Sequence, residues 1–182
     1  AIADNLDVRV MVLGSEGKSF SAGADLGWMQ RMADYSYAEN LSDSHALAEM
    51  LKTLNFMPQL TIARIQGAAF GGAVGLVSCC DIAIASEQAS FCLSEVKIGL
   101  VPATISPYVI AAIGERASRR YFTTAERFDA PTARQLGLVS EVVKAENLDP
   151  KVDEIITTLQ ANGPTAIKST KQLVLDVSGK PI

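Results

Sequence analysis

Histidine is nearly absent from this chain, and its scarcity excludes more than any other feature of the composition. Of 182 residues one is a histidine, His45, in the stretch Ser42-Asp-Ser-His-Ala-Leu-Ala48 with no cysteine or carboxylate at ligand spacing. A zinc site needs several such ligands, and a Ser-His-Asp triad needs its histidine in the site. Neither is expected, no metal is called for, and His45 reads as a residue on a helix surface. Cysteine is almost as scarce: Cys79, Cys80 and Cys92 are odd in number and form no CxxC pair, which fits a reduced, intracellular setting. There is no basic excess, since 16 Lys and Arg face 20 Asp and Glu for a net charge of −4, so a nucleic-acid partner is not expected. No apolar run reaches the length of a membrane span, so no membrane partner is expected either.

What is present is apolar. Hydrophobic residues make up 48% and charged residues 20%, enough for one domain with a substantial core. Val8-Arg-Val-Met-Val-Leu13 reads as a strand ending at Gly14, followed by the polar turn Ser15 to Ser19 and a helix starting at Asp25. A longer helix is expected from Ala38 to Asn55, stopped by Pro58. Strands are expected at Leu60–Ile65 and Asp81–Ala85, with a short apolar helix from Ala73 to Cys79 between them. Beyond Ala89–Cys92, the spacing predicts helices from Pro102 to Ile113, Arg116 to Thr124, Asn147 to Leu159 and Thr165 to Val177, with a last strand at Leu138–Val143. The first strand begins almost at residue 1 and nothing closes the fold after Lys180-Pro-Ile182, so sequence missing at both ends is expected.

Two segments share one design, a β-branched strand, a turn of small residues and a helix start: Val10 to Asp25 and Ile62 to Ala73. Small side chains let another group approach the backbone. A helix start leaves N–H groups without intrahelical partners, and its dipole favours negative charge nearby. Either turn alone reads as tight packing of helix on sheet. Two of them facing each other would aim two N–H donors at one point, which is how a developing oxyanion is held. Neither matches GxGxxG or a Walker A sequence.

Phe20-Ser-Ala-Gly-Ala-Asp-Leu26, Gln66-Gly-Ala-Ala-Phe-Gly-Gly-Ala73, Cys80-Asp-Ile-Ala-Ile84 and Leu93-Ser-Glu-Val-Lys-Ile-Gly-Leu-Val-Pro102 occur in an order that resembles the crotonase superfamily of enoyl-CoA hydratases and isomerases. Ala133-Arg-Gln-Leu-Gly-Leu-Val139 and Gly163-Pro-Thr-Ala166 with Lys171 resemble the family's later blocks, so the likeness covers nearly the whole chain. Within the family, the glycine-rich and Leu-Val-Pro segments are most similar to hydratases acting on branched, methylglutaconyl-type acyl-CoA. The resemblance implies an α/β fold, a spiral of repeated ββα units over about 1–142 with a helical tail over about 143–182, truncated at both ends. It implies an acyl-CoA thioester as substrate, no separate cofactor because coenzyme A is part of the substrate, trimers or hexamers, and a cytoplasmic or mitochondrial-matrix location.

Carried over residue by residue, the resemblance assigns the oxyanion hole to the amides of Ala24 and Gly72. Ala22, Asp25 and Leu26 fall where the family contacts coenzyme A, with Phe70, Gly71 and Ser94 lining the site. Where many members carry a phosphate-contacting lysine, this chain has Gly27. Phe70, Trp28, Met29 and Met32 are candidates for the acyl-pocket wall. Family hydratases commonly use two glutamates; the second is present as Glu95, while the first position is Gly75. The Ala103 amide sits where the family helps hold the reacting water. Hydration of an enoyl-CoA with Glu95 as the one carboxylate is the expected activity. Isomerisation, which needs only one carboxylate, and a catalytically silent CoA-binding scaffold are the alternatives. A glutamate restored at position 75 would raise hydration if the site has room for it.

Overall fold

The computed structural model describes residues 2–178 apart from 6, 24–26, 28–30 and 33. Four strands, β1 (Val10–Leu13), β2 (Leu60–Ile65), β4 (Ile82–Ser86) and β7 (Glu141–Val143), form a fully parallel sheet in the order β1-β2-β4-β7. A second, smaller sheet holds β3 (Ala69–Phe70), β5 (Ser90–Cys92) and β6 (Phe128–Asp129), with β3 and β5 parallel and β6 antiparallel to β5. The chain crosses from one sheet to the other three times in the same sense. β1 leads to Ser21, which bridges Ala69 in parallel; β2 leads to β3; β4 leads to β5. That repetition is the spiral of ββα units the sequence led us to expect.

Helices fill the space between turns of the spiral. Helix α1 (Tyr37–Asn55) starts at a Ser36–Glu39 capping box and buries Leu51 and Leu54. His45 lies on its exposed side. Helix α2 (Gly72–Cys79) is apolar on nearly every side and buries Ala73, Val74, Gly75, Val77 and Cys79; an eight-residue helix with so little polar surface is held by packing rather than by propensity. Helix α3 (Ser106–Thr124) is interrupted at Gly114, whose φ of 76° and ψ of 163° are not helical, so the two helices read from the sequence are present end to end. Helix α4 (Ala130–Leu136) was not foreseen; Asp129 caps it by accepting from the Thr132 amide, and Pro131 sits in its first turn.

The main core lies between the two sheets and helices α1 to α4, with Phe91, Leu51, Ile65 and Leu93 fully enclosed. Within it Phe91 stacks on Phe128, and the Tyr121 ring packs tilted against Phe128. Helix α5 (Leu148–Ala161) covers the opposite face of the large sheet, where Leu148 and Val152 pack on Ile62 and Ile84. Helix α6 (Pro164–Val177) buries none of its residues fully. Its anchor is polar: Lys171 Nζ donates to Asp81 Oδ2 at 2.7 Å and to the Gln59 carbonyl at 3.1 Å, while Asp81 also accepts from the Thr61 amide and hydroxyl.

Candidate active site

The small sheet determines what meets at its carboxyl end, the usual location of ligands in parallel α/β arrangements. Ser21 pairs with Ala69, and Ala69 pairs with Phe91, so three parallel segments run side by side in register. Two hydrogen bonds lock the first pair, Ser21 N–H to Ala68 O and Phe70 N–H to Ser21 O, both at 2.9 Å. Three residues downstream of that row the sequence has Ala24, Gly72 and Ser94, with Glu95 next. The two small-residue turns and the glutamate block, far apart in the chain, therefore leave the sheet at equivalent points. Ala24, Asp25 and Leu26, with Trp28 and Met29, lie outside the described residues; Ala22, just before them, is exposed.

Gly72 opens α2, and as its first residue its N–H has no intrahelical acceptor. Space beside it is open: nothing lies within 4 Å of where a side chain would begin. Gly71, the residue before, has φ 57° and ψ −126°, a conformation that side chains rarely adopt, and its N–H donates to Cys92 O at 2.8 Å. A methyl group on Gly71 would stand 3.4 Å from Glu95 Oε1 and 3.5 Å from Ser94 Oγ. The glycine thus lets the Glu95 carboxyl lie against the turn that presents the Gly72 amide. Phe70, immediately upstream and half-buried, carries the Arg127 guanidinium 4.8 Å over its ring.

Glu95 begins a short 3-10 turn, Glu95–Ile98, closed by left-handed Gly99; it is not on a strand. Its Oε2 is buried with no hydrogen-bond partner among the described residues. Burial raises its pKa above the ordinary carboxylate value, with its own backbone N–H pulling weakly the other way. A buried carboxyl with one idle oxygen costs stability, and such groups concentrate where chemistry uses them. The residues that follow, Val96, Ile98, Leu100 and Val101, are exposed apolar side chains.

Two expectations about this site change. The Ala103 N–H donates to Val101 O at 2.7 Å in a tight turn, so in this arrangement it is engaged by the backbone instead of facing a water. The vacancy at Gly75 is filled: a methyl group there would overlap Ile105 Cγ2, because the fully buried Ile105 side chain rests directly on the helix at that point. Ile105 was not singled out by sequence reasoning, although a glycine inside an apolar helix with no turn to make signals close approach by something. Gly75→Glu is accordingly expected not to raise hydration. Overpacking of this kind costs roughly 1–3 kcal/mol or more, so the variant should show a lower unfolding midpoint in denaturant and no gain in turnover.

Two cavities lie elsewhere, one of about 360 Å³ walled by Val8, Pro58, Pro164 and Ile167 and an open one of about 870 Å³ beside Val12, Arg64 and Gln66. Neither is lined by Glu95 or Gly72. The site is located here by backbone register and by the carboxyl group. Among the described residues no three histidine, cysteine, aspartate or glutamate side chains gather as metal ligands, and no helix is long and apolar enough to cross a membrane.

The sequence pattern of the enoyl-CoA hydratase/isomerase family matches residues 1–178. A crystal structure of an enoyl-CoA hydratase from Shewanella pealeana superposes with a TM-score of 0.95 at 46% identity, covering 99% of this chain and 67% of that one. An enoyl-CoA hydratase of Alternaria alternata is 34% identical over 91% of the chain and 54% of its own length. A crotonyl-CoA hydratase of Syntrophomonas wolfei is 31% identical over 94% of the chain and 65% of its own length. The chain thus spans between half and about two thirds of these proteins.

Proposed function

Because the chain belongs to the enoyl-CoA hydratase/isomerase (crotonase) family, we propose that it binds an α,β-unsaturated acyl-CoA and adds water across the double bond, with Glu95 as the only carboxylate in the reaction. The observation that carries this reading is the Glu95 carboxyl lying against the Gly71–Gly72 turn with a buried oxygen that has no partner among the described residues. The thioester oxygen takes the Gly72 amide and, by the equivalent offset from the Ser21–Ala69 pair, the Ala24 amide. Ionised Glu95 accepts a proton from water as the water oxygen bonds to C3. The electron pair of the double bond moves onto the thioester oxygen, giving an enolate held by the backbone donors. Glu95, now neutral, returns the proton to C2, and the site is restored. A carboxyl whose pKa burial has raised holds that proton long enough to deliver it.

Isomerisation is the second reading, favoured by one observation. Ile105 occupies the ground beside Gly75, where a second water-orienting carboxylate would otherwise stand. The same Glu95 then moves a proton from one carbon of the acyl chain to another without water. Crotonyl-CoA incubated in oxygen-18 water separates the readings. Hydration predicts one heavy oxygen at C3 of the product, isomerisation of a 3-enoyl-CoA predicts none, and a silent CoA-binding scaffold predicts no product from either.

Helix α6 carries Leu173, Val174 and Val177, each more than half exposed. We infer that this apolar stripe is covered by a second copy of the chain in a trimer or hexamer. Sedimentation of the full-length protein should give at least a trimer; a monomer contradicts the inference.

A further inference from the structure

Ser94 occupies the N-cap of the 3-10 turn Glu95–Ile98, where a serine hydroxyl ordinarily accepts a hydrogen bond from an amide of the first turn. It caps nothing here. The backbone has helical angles, φ −91° and ψ −1°, and the Lys97 amide donates to the Ser94 carbonyl at 3.0 Å instead. Among the described residues the half-buried hydroxyl has no hydrogen-bond partner. What it lies beside is the carboxyl group. A methyl group on Gly71 would stand 3.5 Å from Ser94 Oγ and 3.4 Å from Glu95 Oε1. Two oxygens therefore flank one spot, which the glycine keeps clear of any side chain. Other groups nearby that could hold a water are engaged. The Ala103 amide donates to Val101 O at 2.7 Å, and Ile105 fills the ground beside Gly75.

We propose that Ser94 is a further catalytic residue of the hydration: its hydroxyl holds the reacting water on one side while Glu95 takes a proton from the other. The role rests on the hydration reading above and adds the group that aims the water. A water bound only to its base swings about that one hydrogen bond, and its lone pair points at C3 for only part of the time. With one hydrogen on Glu95 Oε1 and the second on Ser94 Oγ, both O–H directions are fixed and a lone pair is left for C3. The O–H bond facing Glu95 breaks as the water oxygen bonds to C3, and the carboxylate keeps that proton for C2. The hydrogen facing Ser94 stays and becomes the hydroxyl hydrogen of the product. Ser94 itself neither gains nor loses a proton.

The test compares two reactions of the full-length protein. Hydration of crotonyl-CoA needs the aimed water. Exchange of the C2 hydrogen of butyryl-CoA in deuterium oxide needs only Glu95 and the oxyanion donors. Ser94→Ala is expected to lower kcat for hydration by roughly tenfold to a hundredfold, with the exchange rate and the dissociation constant of butyryl-CoA within about threefold of wild type. Ser94→Thr keeps a hydroxyl and should recover most of the hydration. The melting temperature of Ser94→Ala should match wild type, because the hydroxyl has no partner among the described residues. Hydration and exchange that fall together in Ser94→Ala mean that the serine only shapes the Glu95 turn, and that result overturns the proposal. So does a Ser94→Ala protein that fails to fold, or a Ser94→Thr protein as slow as Ser94→Ala. Wild-type hydration in Ser94→Ala removes the role of Ser94 and leaves the hydration reading intact. A wild-type protein that exchanges C2 yet never hydrates crotonyl-CoA removes the hydration reading, and the role of Ser94 with it.

Discussion

Glu95→Gln is expected to lower kcat for enoyl-CoA hydration by roughly 10²–10⁴-fold, while the dissociation constant of a saturated acyl-CoA stays within a few-fold. The amide keeps the size and much of the polarity of the side chain but can neither take a proton from water nor return one to C2. Binding is spared because the backbone donors and the contacts along coenzyme A do not depend on the carboxylate. The substitution has a second consequence of opposite sign for stability. Burial raises the folded-state pKa of Glu95. Its favourable contribution to folding is therefore fully present only below the ordinary carboxylate pKa, and is lost as the pH rises through the raised value. At neutral pH the wild-type protein carries a desolvated charge that the neutral amide of the variant would not. Glu95→Gln should melt at a higher temperature than wild type near pH 7, and the difference should vanish in acid. A variant that is both more stable and nearly inactive is the signature of a group retained for chemistry.

The second large effect is expected at Gly72. Proline is tolerated at the first position of a helix, where the missing N–H has no intrahelical acceptor. Nothing lies within 4 Å of the point where the side chain would begin, and the preceding residue is a glycine, with no Cβ to meet the proline ring. Gly72→Pro should therefore fold, keep the circular dichroism of the wild type, and lose one oxyanion donor. Loss of such a donor typically lowers kcat by about 10²–10³-fold, or roughly 3–4 kcal/mol of transition-state stabilisation. Wild-type turnover in folded Gly72→Pro removes that amide from the mechanism.

Much of this site was legible before any coordinates. Val10 to Asp25 and Ile62 to Ala73 announce themselves as strand, small-residue turn and helix start, because those signals are local. Their meeting is not local. The pairing of Ser21 with Ala69 and of Ala69 with Phe91 spans dozens of residues, and only the structure gives the register that sets Ser21, Ala69 and Phe91 side by side. Ile105 was invisible for the same reason: its contact with Gly75 crosses from the loop before α3 to the middle of α2. The β6 strand, Phe128–Asp129, is two residues long and below the reach of any alternation pattern. Helix α4 was missed although Asp129 and Pro131 supply a cap and a first-turn proline; its seven residues are too few for a helical stripe to stand out.

The central claim is spatial, that one thioester oxygen meets backbone donors beside one carboxylate, and a crystal structure of the full-length protein with butyryl-CoA tests it most directly. The mechanism predicts the thioester oxygen within about 2.7–3.2 Å of the Gly72 nitrogen, a second amide from the Ala24 turn on the same oxygen, and a Glu95 oxygen next to C2. A thioester carbonyl turned away from Gly72, or an acyl chain seated where Glu95 cannot reach C2, contradicts it.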